Sequence, residues 1–271
     1  MKPFLFTLLS LLFSLPGVTA ERIISIAPHT TELVYSLQAG EQLVAVSEFS
    51  DYPQAAKALP QVASYQGVNF EALMRLKPDL ILAWQGGNKP QDIERLQSLG
   101  FEVFLSSPKR PEDIASELKA LGKRLGKSDL AEQLADNYLQ KLRALKTHYA
   151  QQPPVKVFYY LWPTPMMSIG PNAWASQMLS ICNAQNIFAD ALSDYPEVAM
   201  EGVLARKPEQ IVAAFTQPRA QLLAFWQPWK GVLAVSEQAI HSVNPDTLHR
   251  FSLRLPQGID ELCGKLHSPE P

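Results

Sequence analysis

The sequence predicts an α/β protein of two lobes with mainly parallel sheets, joined by one long rigid α-helix, with a ligand cleft between the lobes. Three observations support this fold class. Residues 128–149 carry apolar side chains at helical spacing, and strand-like apolar runs alternate with amphipathic helical patterns on either side of them. One motif also occurs in both halves, as EALMRLKPDLI at 71–81 and EGVLARKPEQI at 201–211.

Residues 1–20 have the pattern of an export signal. Lys2 supplies a positive start, residues 4–15 form an apolar core, and Val18-Thr19-Ala20 is a small-residue cleavage site. The apolar core is shorter than the roughly 20 residues that a membrane span needs. No cysteine follows the cleavage site, so we expect a soluble periplasmic protein cleaved near Ala20, and a retained N-terminal anchor is the alternative.

The first lobe is expected over 21–126. Its elements alternate between buried-looking strands and helices: strand 22–28, helix 30–39, strand 43–49, the helix that begins at Glu71, strand 80–84, helix 91–99, strand 101–106 and a helix after Pro111. Continuous apolar strands separated by helices indicate a parallel sheet covered on both faces. The first lobe is therefore predicted to be Rossmann-like.

The connecting helix is expected over 127–150. Its apolar residues are spaced by three and four positions, which places them on one helix face: Leu130, Leu134, Tyr138, Leu142, Leu145 and Tyr149. Ser128 is expected to be the N-cap, and Pro153-Pro154 end the pattern. At about 1.5 Å per residue the helix is about 30 Å long, which is the width of a small domain.

The second lobe, 151–271, repeats the scheme more loosely. Its elements are strand 155–162, helix 173–182, the helix that begins at Glu201, strand 211–215, helix 219–227, strand 239–243 and a final helix. The only two cysteines, Cys182 and Cys263, lie in this half. In the oxidising compartment that export implies, we expect them to form a disulfide.

Charge and motif content limit the function. The net charge is −2 and no basic run is present, which argues against nucleic acid as a partner. No nucleophile elbow, phosphate loop or zinc-binding helix motif occurs, so we predict a protein without enzymatic activity or cofactor. Three histidines could reach the cleft, His29, His241 and His249, and a metal site built from them remains an alternative.

The predicted binding site lies beyond the carboxyl ends of the strands, because ligands of open parallel sheets bind there. Five aromatic residues fall at these loop ends: Phe49, Tyr65, Trp84, Trp162 and Tyr195. Rings in such positions offer large apolar platforms for a flat or bulky ligand. The alternative is that the rings cap the cores of the lobes.

Several stretches resemble a known class of proteins. SEFSDYP (47–53), SYQGVNFEAL (64–73), LKPDLILAWQGGN (76–88) and ARKPEQIV (205–212) are similar to the substrate-binding proteins of ABC importers that use one connecting helix. Within that class the chain most resembles the members that bind cobalamin (vitamin B12). The same fold also serves haem and ferric siderophores, which would need a tyrosine iron ligand or a basic cluster, and only Arg250 and Arg254 approximate the latter.

The resemblance implies a monomer that holds a corrinoid between its lobes. Its ligand contacts would fall on Phe49, Tyr65, Trp84, Tyr195, Asp246 and Arg250. Phe49 stands where the class usually has tyrosine, and Tyr65 and Tyr195 stand where it usually has tryptophan, so each position keeps a ring. Glu71 and Glu201 would pair with arginines of the inner-membrane importer.

Overall fold

The computed structural model describes residues 20–215, 218–236 and 239–267. The predicted export signal, up to residue 19, lies outside this part of the chain. Within the described ranges, no helix is both long enough and apolar enough to cross a membrane.

The first lobe is a six-stranded sheet with helices on both faces. Its elements are β1 (Ile23–Ser25), α1 (Pro28–Ser36), β2 (Leu43–Ser47), β3 (Gln61–Ser64), β4 (Gly67–Val68), α2 (Phe70–Arg75), β5 (Leu80–Trp84), α3 (Pro90–Ser98), β6 (Val103–Ser106) and α4 (Asp113–Arg124), with short 3₁₀ helices at Gly40–Gln42 and Gln54–Ala58. The strand order is β4-β3-β2-β1-β5-β6. All neighbours are parallel except β3 and β4, which form a tight antiparallel hairpin.

The connecting helix α5 runs from Ser128 to Tyr149, over the predicted span. Ser128 is its first helical residue, whereas Lys127 holds the N-cap position without a capping side-chain hydrogen bond, so the predicted cap is wrong. Ala131 is buried on α5 and lies directly against Gly122 of α4, because a glycine lets the two backbones approach closely. At its far end, the Tyr149 hydroxyl donates to Asp260 Oδ1 of the second lobe at 2.9 Å.

The second lobe has a smaller, all-parallel sheet. Its elements are β7 (Val155–Tyr160), β8 (Trp162–Pro163), β9 (Met166–Met167), α6 (Trp174–Ile181), β10 (Ala184–Asn186), α7 (Met200–Arg206), β11 (Gln210–Ala213), α8 (Arg219–Trp226), α9 (Leu233–Ser236), β12 (Ile240–Ser242), α10 (Pro245–Leu248) and α11 (Leu255–His267). The strand order is β10-β7-β11-β12, and β8 and β9 form a separate hairpin. The predicted disulfide between Cys182 and Cys263 is present and joins the end of α6 to α11.

One apolar core runs through both lobes and the connecting helix. Its buried members include Leu33 and Leu118 of the first lobe, Tyr138 of α5, and Leu179 and Leu262 of the second lobe. Two smaller clusters lie apart from it, one in each lobe. The α/β fold class predicted from the sequence is confirmed. Because the core is shared, both lobes pack directly against α5.

The repeated motif is also repeated in backbone conformation. In the first lobe α2 leads into β5, which pairs with β1, and in the second lobe α7 leads into β11, which pairs with β7. The lysine of each Lys-Pro step has a positive φ, +46° at Lys77 and +50° at Lys207. L-residues with side chains rarely adopt this left-handed conformation, so its occurrence at both sites shows that the two motifs make the same turn.

Candidate ligand-binding site

Three of the predicted rings line one pocket of the first lobe. Phe49, Tyr65 and Trp84 surround a cavity of about 220 Å³, whose other lining residues are Ile26, Ala27, Pro28, Ser47, Glu48, Ser64, Gly87 and Asn88. The cavity lies beyond the carboxyl ends of β1, β2 and β5, where a parallel sheet leaves its binding crevice. All of its lining residues belong to the first lobe.

Trp84 is held by its own turn. Its backbone amide donates to Asn88 Oδ1 at 2.7 Å, and Asn88 Nδ2 donates to the carbonyl of Ile26 at 2.8 Å, which ties the turn to β1. Gly86 and Gly87 lie against the indole, and a Cβ atom on Gly87 would overlap its six-membered ring. The Gly-Gly-Asn sequence after Trp84 therefore has a structural purpose, which is to leave room for the indole and to anchor it.

The inner edge of Trp84 contacts the second lobe. Its ring centroid lies 5.6 Å from that of His29 and 5.3 Å from that of Phe251, both in edge-on geometry. Phe251 in turn meets Trp174 of α6 at 4.5 Å. Edge-to-face aromatic pairs at these distances are favourable beyond the area they bury. Trp84 is half-buried, and it both lines the cavity and contacts Phe251 of the second lobe.

The His29 ring packs edge-on against both Trp84 and Phe251 and is itself held by a hydrogen bond. Its Nε2 lies 2.7 Å from Ser106 Oγ, and the Ser106 hydroxyl donates to Glu117 Oε2 at 2.6 Å. Since the serine proton points to the carboxylate, we assign the Nε2 proton to His29, which donates it to Ser106. Burial lowers the pKa of His29 to about 3, so the ring is neutral at physiological pH. At 3% exposure His29 has almost no surface for a ligand.

Phe49 and Tyr65 form the rim of the pocket. Their exposed fractions are 66% and 77%, which is high for aromatic residues. Phe49 also has a φ of +61°, a conformation that turns the loop after β2. Single exposed apolar side chains are common, whereas rings grouped around a cavity mark a binding surface.

The second lobe carries the other two predicted rings, and neither of them lines this cavity. Trp162 and Tyr195 are 54% and 51% exposed. Trp162 lies in β8, just after the end of β7, opposite Met167 of β9. The segment that carries Tyr195 is held beside β9, because the Ser168 amide donates to the Pro196 carbonyl at 3.0 Å. Exposed aromatic side chains therefore also lie near the carboxyl end of the second sheet.

Asp246 and Arg250 are brought together, but at the lobe interface. Arg250 Nη2 lies 2.9 Å from Asp246 Oδ1, and Arg250 Nη1 lies 2.5 Å from Asp51 Oδ1 of the first lobe. Burial by itself would lower the pKa of Arg250, but the hydrogen bond and charge of Asp51, with the charges of its acidic neighbours, outweigh it and raise the pKa. The Arg250 side chain is 12% exposed, and its guanidinium is already paired with carboxylates.

The other histidines lie apart from His29. His241 Nε2 pairs with Gln210 Oε1 at 2.7 Å, and His249 Nε2 pairs with the Tyr159 hydroxyl at 3.0 Å. Burial lowers the pKa of each to about 4. In the described ranges, no three histidine, cysteine or acidic side chains are grouped closely enough to hold a metal ion. The metal-site alternative built from the three histidines therefore has no geometric basis.

Two residues of this region were missed from the sequence. Glu32 is buried in α1 next to Arg250, and Phe251 packs on Trp84. A signal for Glu32 exists, because it is the one acidic residue in the segment PHTTELVYS at 28–36. Phe251 gives no such signal, since its contact depends on how the lobes meet.

The two predicted docking glutamates are exposed in the first turns of α2 and α7. Glu71 pairs with Arg75, one turn further along, at 2.7 Å. Glu201 makes no ion pair with any described residue. Exposed ion pairs one turn apart contribute only about 0.3–0.5 kcal/mol, so Glu71 stays available to a partner.

The fold and this site define a two-lobed substrate-binding protein with a single connecting helix. The chain belongs to the periplasmic binding protein family, whose model matches residues 23–236. It is 39% identical over 266 residues to the vitamin B12-binding protein of Yersinia pestis (strain Pestoides F), covering 97% of this chain and 93% of that one. The crystal structure of the periplasmic vitamin B12 binding protein BtuF of Vibrio cholerae superposes with a TM-score of 0.83 at 37% identity, covering 91% and 96% of the two chains. A periplasmic heme binding protein from Pseudomonas aeruginosa gives a TM-score of 0.81 at 25% identity, covering 93% and 94%.

Proposed function

We propose that this chain is a periplasmic substrate-binding protein that captures cobalamin between its lobes and delivers it to an ABC importer in the inner membrane. The pocket lined by Phe49, Tyr65 and Trp84 is the observation that carries the proposal. A corrinoid is far larger than this cavity, so it would rest on the first-lobe wall and also reach Tyr195 and Trp162 opposite. Relatives that bear the name of vitamin B12-binding proteins support the same ligand.

Haem or a ferric siderophore is the competing ligand of the same fold. An anionic chelate would need free positive charge in the cleft. The arginines that could supply it, Arg250 and Arg254, are paired with the acidic side chains of Glu32, Asp51 and Asp246. A large ligand with mostly neutral amide edges fits this environment better than a dianionic porphyrin.

Delivery would use the two exposed glutamates. Glu71 and Glu201 lie in the first turns of equivalent helices of the two lobes, and an importer made of two similar halves would present matching arginines to both. Arginine–carboxylate pairs fix orientation as well as adding binding energy. Export would follow the leader at 1–20 with cleavage near Ala20, and we expect the free protein to be monomeric and to turn over no substrate.

Titration of the protein with each candidate ligand distinguishes cobalamin from haem and a ferric siderophore. The mature chain, starting at Glu21, is titrated by calorimetry with cyanocobalamin, hemin and a ferric siderophore, and each mixture is desalted and its absorbance recorded. We expect one-to-one, submicromolar binding of cyanocobalamin and retained corrinoid colour. Retention of hemin or siderophore without retention of the corrinoid would overturn the proposal.

Matched variants then test the pocket. Trp84→Ala and Tyr65→Ala each remove a platform worth about 1–3 kcal/mol, so each should weaken cobalamin binding about five- to 150-fold. Trp229→Ala, which removes a partly exposed ring outside the pocket, is the control and should bind normally. Unchanged affinity in both pocket variants would mean that the rings only cap the core.

A further inference from the structure

The loop that presents Phe49 depends on contacts outside itself. Phe49 has a positive φ, which residues with side chains rarely adopt, and its exposed ring packs too little to hold that conformation. Ser50 anchors the start of the loop through its hydroxyl, which lies 3.1 Å from those of Ser47 and Thr31. The next two residues, Asp51 and Tyr52, are held by the second lobe.

Two arginines of the second lobe make these contacts. Arg250 donates to Asp51, as described above, and the Arg254 guanidinium carbon lies 4.0 Å above the centre of the Tyr52 ring. A guanidinium at this distance over an aromatic face makes a favourable cation–π contact. Asp51 and Tyr52 are thus each held by a cation from the opposite lobe.

Arg254 is itself oriented by a buried carboxylate. Its Nε donates to Glu32 Oε2 at 2.9 Å and its Nη2 donates to Glu32 Oε1 at 2.5 Å, which is a bidentate pair. The Glu32 side chain is only 2% exposed, so it has no surface to offer to a ligand. Glu32 lies in α1, about one helical turn beyond the pocket-lining Pro28, and it also approaches Arg250 Nη1 at 3.4 Å.

We propose that Glu32 and Arg254 are positioning residues for the ligand site: their bidentate pair holds the Arg254 guanidinium over the Tyr52 ring and so fixes the loop that presents Phe49 in the cleft. This inference rests on the proposed binding function. A lysine in place of Arg254 would keep the charge but lose both the fork and the flat stacking surface. The contribution of the pair to binding is therefore expected to depend on geometry rather than on charge alone.

The test combines affinity with loop protection. Glu32→Gln, Arg254→Gln and Arg254→Lys are titrated with cyanocobalamin, and hydrogen exchange of the backbone amides of residues 48–52 is measured on the ligand-free proteins. We expect each variant to bind about three- to tenfold more weakly and to exchange faster in this loop. The double variant Glu32→Gln/Arg254→Gln should be no weaker than either single variant, because both act through one contact.

Matched controls separate this role from general destabilisation. Asp190→Asn disrupts an exposed ion pair with Arg206 and should change neither affinity nor exchange of the loop. Should the Glu32 variants fail to fold, Tyr52 offers a partly exposed alternative. Tyr52→Phe keeps the ring and should behave as wild type, whereas Tyr52→Leu should reproduce the loss.

Each outcome decides the proposal. Unchanged exchange in the Glu32 and Arg254 variants, or additive losses in the double variant, would overturn it. Faster exchange with unchanged affinity would overturn it as well, because the loop would then be irrelevant to binding. If the wild-type protein bound no cobalamin, the proposed function would fail, and the exchange data would still decide whether the pair holds the loop.

Discussion

At the scale of single residues, the ligand pocket depends on what surrounds Trp84 as much as on Trp84 itself. Two glycines leave room for the indole, Asn88 ties its turn to β1, and His29 supports its inner edge. A ring that is held on several sides loses little conformational freedom when a ligand stacks on it, which favours affinity. Residues without ligand contact can therefore be essential for binding.

We expect Gly87→Ala to weaken cobalamin binding about tenfold, because the new methyl group would overlap the indole and displace it. Calorimetric titration measures the loss, and near-ultraviolet circular dichroism reports the displaced tryptophan. Gly264→Ala is the control, since a Cβ atom there meets nothing within 4 Å. Wild-type affinity in Gly87→Ala would show that Trp84 can move without consequence.

Because the buried histidines are neutral, we expect the stability of the folded protein to decrease in acid. The pKa of His29 is about 3 and that of His249 about 4, whereas the unfolded chain protonates histidine near 6.5. Between these values the unfolded state binds more protons, so the free energy of unfolding falls as the pH falls below about 6.5. Each histidine contributes on the order of 1 kcal/mol per pH unit, while Glu117, whose pKa is raised by burial, acts in the opposite direction.

Denaturant unfolding at about pH 7.5 and about pH 5.5 measures this loss. His249→Gln retains a polar partner for the Tyr159 hydroxyl but does not titrate, so its stability should fall less over the same interval. An equal fall in variant and wild type would mean that His249 is not the group that senses pH.

At the scale of elements, the close contact of α4 and α5 depends on small side chains. Gly122 faces Ala131, and a Cβ atom at Gly122 would overlap the alanine methyl group. Gly122→Ala gains up to about 1 kcal/mol of helix propensity but should lose about 1–3 kcal/mol through overpacking. We therefore expect a net loss of stability, measured by the denaturation midpoint.

Gly264 provides the matched comparison in α11. A Cβ atom there has open space, so Gly264→Ala should gain about 0.5–1 kcal/mol from helix propensity with no packing cost. Opposite signs at the two positions would confirm that helix contact decides the effect. A gain at both would show that α4 and α5 can separate freely.

The disulfide between the end of α6 and α11 is a second feature that stabilises the packing of elements. Cys182 and Cys263 are 81 residues apart, and the chain-entropy estimate for closing such a loop is about 4 kcal/mol. Cys182→Ala/Cys263→Ala should lower the free energy of unfolding by up to this amount without changing cobalamin affinity. Guanidinium unfolding of the wild type and the double variant measures the difference. Equal free energies of unfolding would mean that the disulfide does not stabilise the fold.

At the scale of the whole molecule, the two lobes present one exposed glutamate each. We expect Glu71→Ala/Glu201→Ala to bind cobalamin normally but to support little uptake, because the importer would lose both of its orienting carboxylates. Transport in proteoliposomes that contain the importer, measured beside ligand titration, tests both halves of this expectation.

The control for docking is a second pair of exposed glutamates outside the repeated motif. Glu41→Ala/Glu94→Ala removes the same charge and should transport at the wild-type rate. If the Glu71/Glu201 variant also transports normally, those two residues are ordinary helix starts whose carboxylates favour the helix dipole.

The parts of the fold that can be predicted from the sequence are those whose pattern lies within a short stretch of the chain. The connecting helix, the strand 80–84 and the repeated Glu-to-Lys-Pro motif each show their periodicity within a dozen or so residues. The hairpins β3–β4 and β8–β9 were missed because strands of two to four residues are too short to show alternation. Ser128 was a plausible cap by residue type, but the chain enters the helix one residue earlier.

The α/β class, the two halves, the long helix and the rings at the loop ends can all be predicted from the sequence, because spacing along the chain encodes which face of an element is buried. The packing of Trp84 on Phe251, and the pairing of Arg250 and Arg254 with carboxylates of the other lobe, become visible only in the folded molecule. These partners lie more than 150 residues apart in the chain, as the separations of 199 for Arg250–Asp51 and 222 for Arg254–Glu32 show. No local pattern specifies such pairs, since they arise when two separately folded surfaces meet around α5.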